Sequence, residues 1–123
     1  MNAQKKDGRS GQGLPKRHRI RKDKEFRRVL DHGKRFAGSA VLVFAIPNQR
    51  GCSRLGLIVS RRHGNAVRRN RIKRQFREIF RIRKTEIRGN FDIVLIPRLS
   101  SREKQYKDFE QDFMRWTAVE SLD

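Results

Sequence analysis

Between Ser60 and Arg81 the sequence gathers Arg61, Arg62, Arg68, Arg69, Arg71, Lys73, Arg74, Arg77 and Arg81 against a single acid, Glu78. A guanidinium group is planar, permanently charged and able to bridge two phosphate oxygens. The chemistry this stretch can do is to hold a polyanion. From Ala66 onward its apolar residues have helical spacing. At about 100° per residue, Ile72, Phe76, Ile79 and Phe80 fall on one side, while Asn70, Lys73, Arg74, Arg77 and Arg81 fall roughly opposite. Asn65, after the flexible Gly64, suits the N-cap of that helix. One face should pack on a core, and the other should present cations to successive phosphates. A charged helix face is ordinarily just a solvated one, but solvated faces mix signs to gain i,i+4 pairs. Here the members repel one another, and a partner of opposite charge is the simplest reason to keep them.

The remaining chemistry-bearing residues do not assemble into a protein active site. Acids are few and scattered. Asp108 and Asp112 share a face of the last predicted helix, with Glu110 pointing away, and a solvated acidic strip accounts for them. His18, His32 and His63 lie in three separate segments. A nuclease needs clustered carboxylates for metal ions or a histidine pair, and no phosphate-binding glycine loop of the P-loop type is present. The single Cys52 cannot form an internal disulfide or a cysteine-based zinc site, and reads as a small residue near a strand start.

The net charge of +19 over 123 residues points to a nucleic acid or an anionic surface. No apolar run approaches the ~20 residues of a membrane span, and no signal pattern opens the chain. A cytoplasmic protein with no membrane contact is expected. Apolar residues make up 35%, which allows one domain with a modest core.

The elements that must position the basic helix follow from the pattern. Residues 1–15 are nearly without large apolar groups and are expected to be a disordered tail, with one domain over 16–123. Lys16 to Lys22 is a second basic cluster, either a solubilising tail or an RNA-contacting arm. Asp23 reads as an N-cap for a short helix carrying Phe26, Val29 and Leu30, stopped by Gly33 at C′. Residues 39–46 and 54–60 read as strands joined by a short turn, hence as an antiparallel hairpin. Segment 33–42 has room for one more short strand. Residues 91–96 form another strand, closed by Pro97. Ser100 and Glu103 have capping-box spacing ahead of a helix with Tyr106, Phe109, Phe113 and Trp116 on its core face. The result is an α+β two-layer sandwich.

The run Gly64-Asn65-Ala66-Val67-x-Arg69-Asn70-Arg71-Ile72-Lys73-Arg74-x-x-Arg77, preceded by Val59-Ser60-Arg61-Arg62, closely resembles the signature of the bacterial ribonuclease P protein subunit. The resemblance covers about Arg17 to Leu122. It implies an α-β-β-β-α-β-α order like the second domain of ribosomal protein S5, with the basic helix in a left-handed β-α-β crossover. It implies an enzyme whose catalytic centre is in an RNA subunit, which removes the 5′ leader of precursor tRNA with Mg2+ held mainly by RNA phosphates. The partners it implies are ribonuclease P RNA and precursor tRNA, with one protein copy per RNA. By the same resemblance Arg61, Arg62, Arg69, Asn70, Arg71, Lys73, Arg74 and Arg77 bind the catalytic RNA, with Arg71 lying off the main basic stripe. Phe26 and Phe44 match aromatic positions of a leader-binding cleft, whereas Leu30 stands where relatives often carry an aromatic. Read from the residues alone, Phe26 and Phe44 are ordinary core positions. Two other readings compete: a ribosomal or general structural RNA-binding protein, and a DNA-binding protein. No clear helix-turn-helix supports the last.

Overall fold

The computed structural model describes residues 14–99 and 105–121. The element order is α1 (Asp23–His32), β1 (Lys34–Ala37), β2 (Val41–Pro47), β3 (Arg54–Leu57), α2 (Ala66–Arg83), β4 (Phe91–Pro97) and α3 (Tyr106–Ser121). This is the α-β-β-β-α-β-α order, and the short strand allowed for in segment 33–42 is β1.

The strands form one sheet in the order β1-β2-β4-β3. β2 is antiparallel to β1 and to β4, while β3 runs parallel to β4. The expected hairpin between residues 39–46 and 54–60 is therefore absent: β4 lies between those strands. The reason is burial. Ile93, Val94 and Leu95 are all buried, so β4 needs cover on both faces and takes the central position. β1 occupies the other edge of β2. A parallel neighbour cannot be reached by a tight turn, and α2 supplies the crossover from β3 to β4.

One face of the sheet carries Val41, Val43, Ala45, Leu55, Ile93 and Leu95, packed against Ile72, Phe76, Ile79 and Phe80 of α2 and Phe109, Phe113 and Trp116 of α3. This is the helix-on-sheet core, and Phe76 meets Phe109 edge-on with centroids 4.8 Å apart. The alternate strand positions Phe44, Ile46, Val94 and Ile96 face the other way, where α1 covers part of the sheet with Phe26, Val29 and Leu30.

Four local expectations are corrected. Asp112 is not part of a solvated strip. It is 1% exposed, and its Oδ2 accepts from the backbone N–H groups of Ala40 (2.7 Å) and Val41 (3.1 Å). It satisfies amides that the turn into β2 would otherwise bury unpaired. Asp23 opens α1 from inside, with Lys22 at the N-cap. Gly33 ends α1 without a left-handed backbone (φ −78°). It is needed because a Cβ there would lie 2.5 Å from the Val29 carbonyl oxygen. Leu14, assigned to the tail, is buried in the main core, its carbonyl accepting from Arg19 Nε at 2.7 Å. Residues 1–13 and the Ser100–Glu103 spacing lie outside the described residues.

Candidate nucleic-acid interface

α2 begins where its residues dictate. Gly64 takes φ 125°, a conformation that glycine adopts without strain. Asn65 then caps the helix, its side-chain oxygen accepting from Arg68 N–H at 2.9 Å. The Arg68 side chain turns back, Nε donating to the His63 carbonyl at 3.0 Å, so Arg68 fastens the helix start instead of extending the basic row.

Ahead of the cap, Ser60 to His63 forms a short 3-10 turn. The Ser60 N–H donates to His63 Nδ1 at 2.9 Å, and Nε2 lies 2.8 Å from the Pro97 carbonyl. An accepting Nδ1 carries no proton, so Nε2 bears it and donates to Pro97. This places Arg61 and Arg62 where β3 and β4 end. Together with Arg68, Arg98 and Gly64 they line a cavity of about 410 Å³.

Along α2 the expected residues divide by depth. Asn70, Arg71 and Arg74 are exposed, and Arg69, Lys73 and Arg77 are half-buried. Lys73 and Arg77 turn toward the outer edge of β3, where they line a cavity of about 160 Å³ with Phe26, Gly56, Leu57 and Arg19. Burial, reinforced by the charge of Arg19, lowers the pKa of Arg77 from the ordinary arginine value. Among the described residues no acid pairs with Arg77. A guanidinium held half-buried beside a like charge is a position that an anion would stabilise.

The two ends of α2 differ in charge balance. In its C-terminal part Arg81 pairs with Glu78 at 2.7 Å, and Arg83 pairs with Glu86 (2.8 Å) and Glu110 (3.1 Å). Hydrogen bonding to Arg81 holds Glu78 below the usual carboxylate range despite partial burial. For Arg61, Arg62, Arg69, Arg71, Lys73, Arg74 and Arg77, by contrast, no acid pairs with the cation among the described residues. Arg81, which shares the basic side of the wheel, is thus matched within its own helix, and the uncompensated row is the N-terminal one.

Phe26 and Phe44 belong to the same apolar cluster on the α1 side of the sheet, and both are half-buried. The Phe26 ring lies over Gly56 and shares a cavity with Lys73 and Arg77, whereas Phe44 does not line it. Phe44 pairs in register with Val94, which also pairs with Gly56. Phe26 and the basic helix thus meet around the β3 edge, whereas Phe44 lies on β2, with β4 between it and that edge. Sequence reasoning did not single out Arg98, which the end of β4 brings beside Arg61 and Arg62. It placed Arg19 in the Lys16–Lys22 cluster without joining that cluster to α2, and gave His63, directly ahead of α2, no part in the surface.

A magnesium site built from the described residues does not fit this arrangement. Asp92 is bound to Arg54, Asp112 to backbone amides, and Glu78 and Glu110 to arginines. No group of three His, Cys, Asp or Glu side chains converges among the described residues. Nor is any helix among those residues long and apolar enough to cross a membrane.

Fold and surface together define a small basic α+β protein that presents an arginine-rich helix face beside a half-covered sheet. The family model for ribonuclease P matches residues 14–119, and the chain belongs to the ribonuclease P protein family. The ribonuclease P protein component of Clostridioides difficile is 38% identical over 93 residues, covering 75% of this chain and 82% of that protein. That of Natranaerobius thermophilus is 31% identical over 103 residues, covering 84% and 90%. Among solved structures, the RNase P protein of Staphylococcus aureus superposes with a TM-score of 0.73 at 31% identity, covering 83% of this chain and 94% of that one. The RNase P protein from Thermotoga maritima gives 0.72 at 34%, covering 80% and 94%. The family resemblance carried by Val59 to Arg77 is borne out.

Proposed function

We propose that the protein binds a catalytic RNA through Arg61, Arg62, Arg69, Asn70, Arg71, Lys73, Arg74 and Arg77. The same subunit holds the 5′ leader of precursor tRNA in the cleft of Phe26 and Phe44, and so assists endonucleolytic removal of that leader. The observation that carries this reading is the charge asymmetry of α2: an N-terminal row without acidic partners among the described residues, on a helix whose C-terminal arginines are paired. A basic body between two RNA chains lowers their mutual repulsion and replaces part of the cation they would otherwise need. Magnesium, where the reaction uses it, is assigned to RNA phosphates, because Glu78, Asp92, Glu110 and Asp112 are engaged by arginines or backbone amides. The catalytic centre is accordingly placed in the RNA, the substrate is precursor tRNA, one protein serves one RNA, and the complex works in the cytoplasm.

The test is precursor-tRNA cleavage at low magnesium with protein alone, with bacterial ribonuclease P RNA alone, and with both. Correct 5′ cleavage only in the combined reaction is expected. Cleavage by the protein alone would overturn the placement of the catalytic centre. No stimulation by folded protein with a matched RNA would favour a general RNA-binding role.

A further inference from the structure

The basic segment ahead of α1 does not spread over the surface. Lys16–His18 forms a 3-10 turn in which His18 is buried, its Nδ1 donating to the Ser53 carbonyl at 3.0 Å. The Ile20 N–H donates to the Leu55 carbonyl at 2.9 Å. These bonds pin the segment along the free edge of β3 and set Lys16, Arg17, Arg21 and Lys22 around a cavity of about 790 Å³, with Arg50 on the same lining.

The one acid on that lining is Glu25. It is already engaged by Arg50 at 3.2 Å and by Arg54 at 3.3 Å. Among the described residues no acid pairs with Lys16, Arg17, Arg21 or Lys22. Exposed like charges gain by spreading apart in water. Here hydrogen bonds of the fold hold four of them around one concavity, an arrangement that a polyanion stabilises.

The cavity has a defined place. Arg54 and Asp92 are register partners at the start of β3 and β4, while His63 reaches Pro97 where β4 ends. The Arg50 cavity and the Arg61 cavity thus lie at opposite ends of the sheet, with the Arg19–Arg77 cavity between them on the β3 edge. We propose that the cavity of Lys16, Arg17, Arg21, Lys22 and Arg50 is a second RNA site, which grips a phosphodiester backbone at the far end of the sheet from the start of α2. The proposal rests on the RNA-binding reading above and adds a separate surface to it.

Cys52, the single cysteine of the chain, lines this cavity with Sγ 3.5 Å from the Arg17 carbonyl, and serves as a reporter. The experiment measures alkylation of Cys52 in the full chain by iodoacetamide, an uncharged reagent whose access does not depend on local potential. It is run free, with saturating ribonuclease P RNA, and with saturating precursor tRNA. At least one RNA should slow alkylation about tenfold. The exposed triple variant R17Q/R21Q/K22Q should lose that protection, and its salt slope of RNA binding should fall by about 2–3, since each lost contact removes about 0.7–0.9. RNA that binds with its usual α2-dependent slope while Cys52 reacts at the free rate would overturn the second site alone. A triple variant with an unchanged slope would do the same. Failure of the folded full chain to bind either RNA would remove both readings together.

Discussion

His63 donates from Nε2 to the carbonyl of Pro97 at 2.8 Å, and this bond ties the turn ahead of α2 to the last residue of β4. Its other nitrogen accepts from Ser60 N–H, so one ring fixes both the turn carrying Arg61 and Arg62 and its distance from the sheet. Two hydrogen bonds of net ~0.5–1.5 kcal/mol each set the scale. His63→Ala is expected to lower stability by about 1–3 kcal/mol and RNA affinity several-fold, with the helical content of α2 retained. Thermal melts and RNA titration of the variant check this. Full affinity in a destabilised variant would show that the turn holds its own shape.

At the other end of the sheet Arg54, 7% exposed, forms a two-pronged pair with Asp92 at 2.9 and 2.8 Å. Burial alone would raise the pKa of Asp92, but hydrogen bonds from Arg54 and Asn48, with the Arg54 charge, outweigh it and hold the carboxyl below its usual range. A depressed carboxylate contributes stability that is present above its unfolded pKa of about 3.9 and lost as pH falls through the lower folded value. The melting temperature should therefore hold down to about pH 5 and fall in acid. Asp92→Asn should flatten that acid limb. It should also destabilise the neutral protein by about 3 kcal/mol, the low end for breaking a buried pair, because Glu25 still faces Arg54. Melts from pH 2 to 7 on both proteins decide it.

The contrast within α2 gives a third expectation. Arg69→Ala and Arg74→Ala should each weaken RNA binding and lower the slope of log affinity against log salt by about 0.7–0.9. Arg81→Ala should change the slope by less, because Glu78 already neutralises Arg81. Equal effects at all three positions would mean that the C-terminal pairing opens on RNA and that the interface runs the full helix.

Most of the candidate interface was legible in its placement because it is local. The 3.6-residue period of Ile72, Phe76, Ile79 and Phe80 places the opposite residues without reference to the rest of the chain, and Asn65 caps where its side-chain chemistry requires. What stayed hidden depends on strand order. With residues 39–46 and 54–60 read as a hairpin, Asp92 has no reason to meet Arg54. Once β4 is central the two are register partners, and a lone acid in an apolar strand finds its cation. Asp112 was misread for a related reason. Its partners are backbone amides of the turn at Ala40 and Val41, which no side-chain pattern announces. The membership of Lys16 to Lys22 in a cavity likewise required the N-terminal segment to lie along β3.

The cleft assignment can be separated from simple packing through Gly56. A Cβ at that position would come within 2.6 Å of the Phe26 ring and 3.2 Å of Ile20 Cβ, so Gly56→Ala must displace the aromatic side chain. Phe26→Leu and Phe44→Leu, by contrast, keep much of the apolar volume and remove the flat surface. If the rings stack on leader bases, each Leu variant should lose about 1–3 kcal/mol of affinity for precursor tRNA and little for the catalytic RNA alone, with a modest change in melting temperature. Gly56→Ala should copy the Phe26→Leu defect, because it moves the same ring. Fluorescence titration with precursor and with mature tRNA distinguishes the cases. A loss confined to the precursor assigns the rings to the leader, whereas a fall in stability with no difference between the two RNAs returns Phe26 and Phe44 to the core.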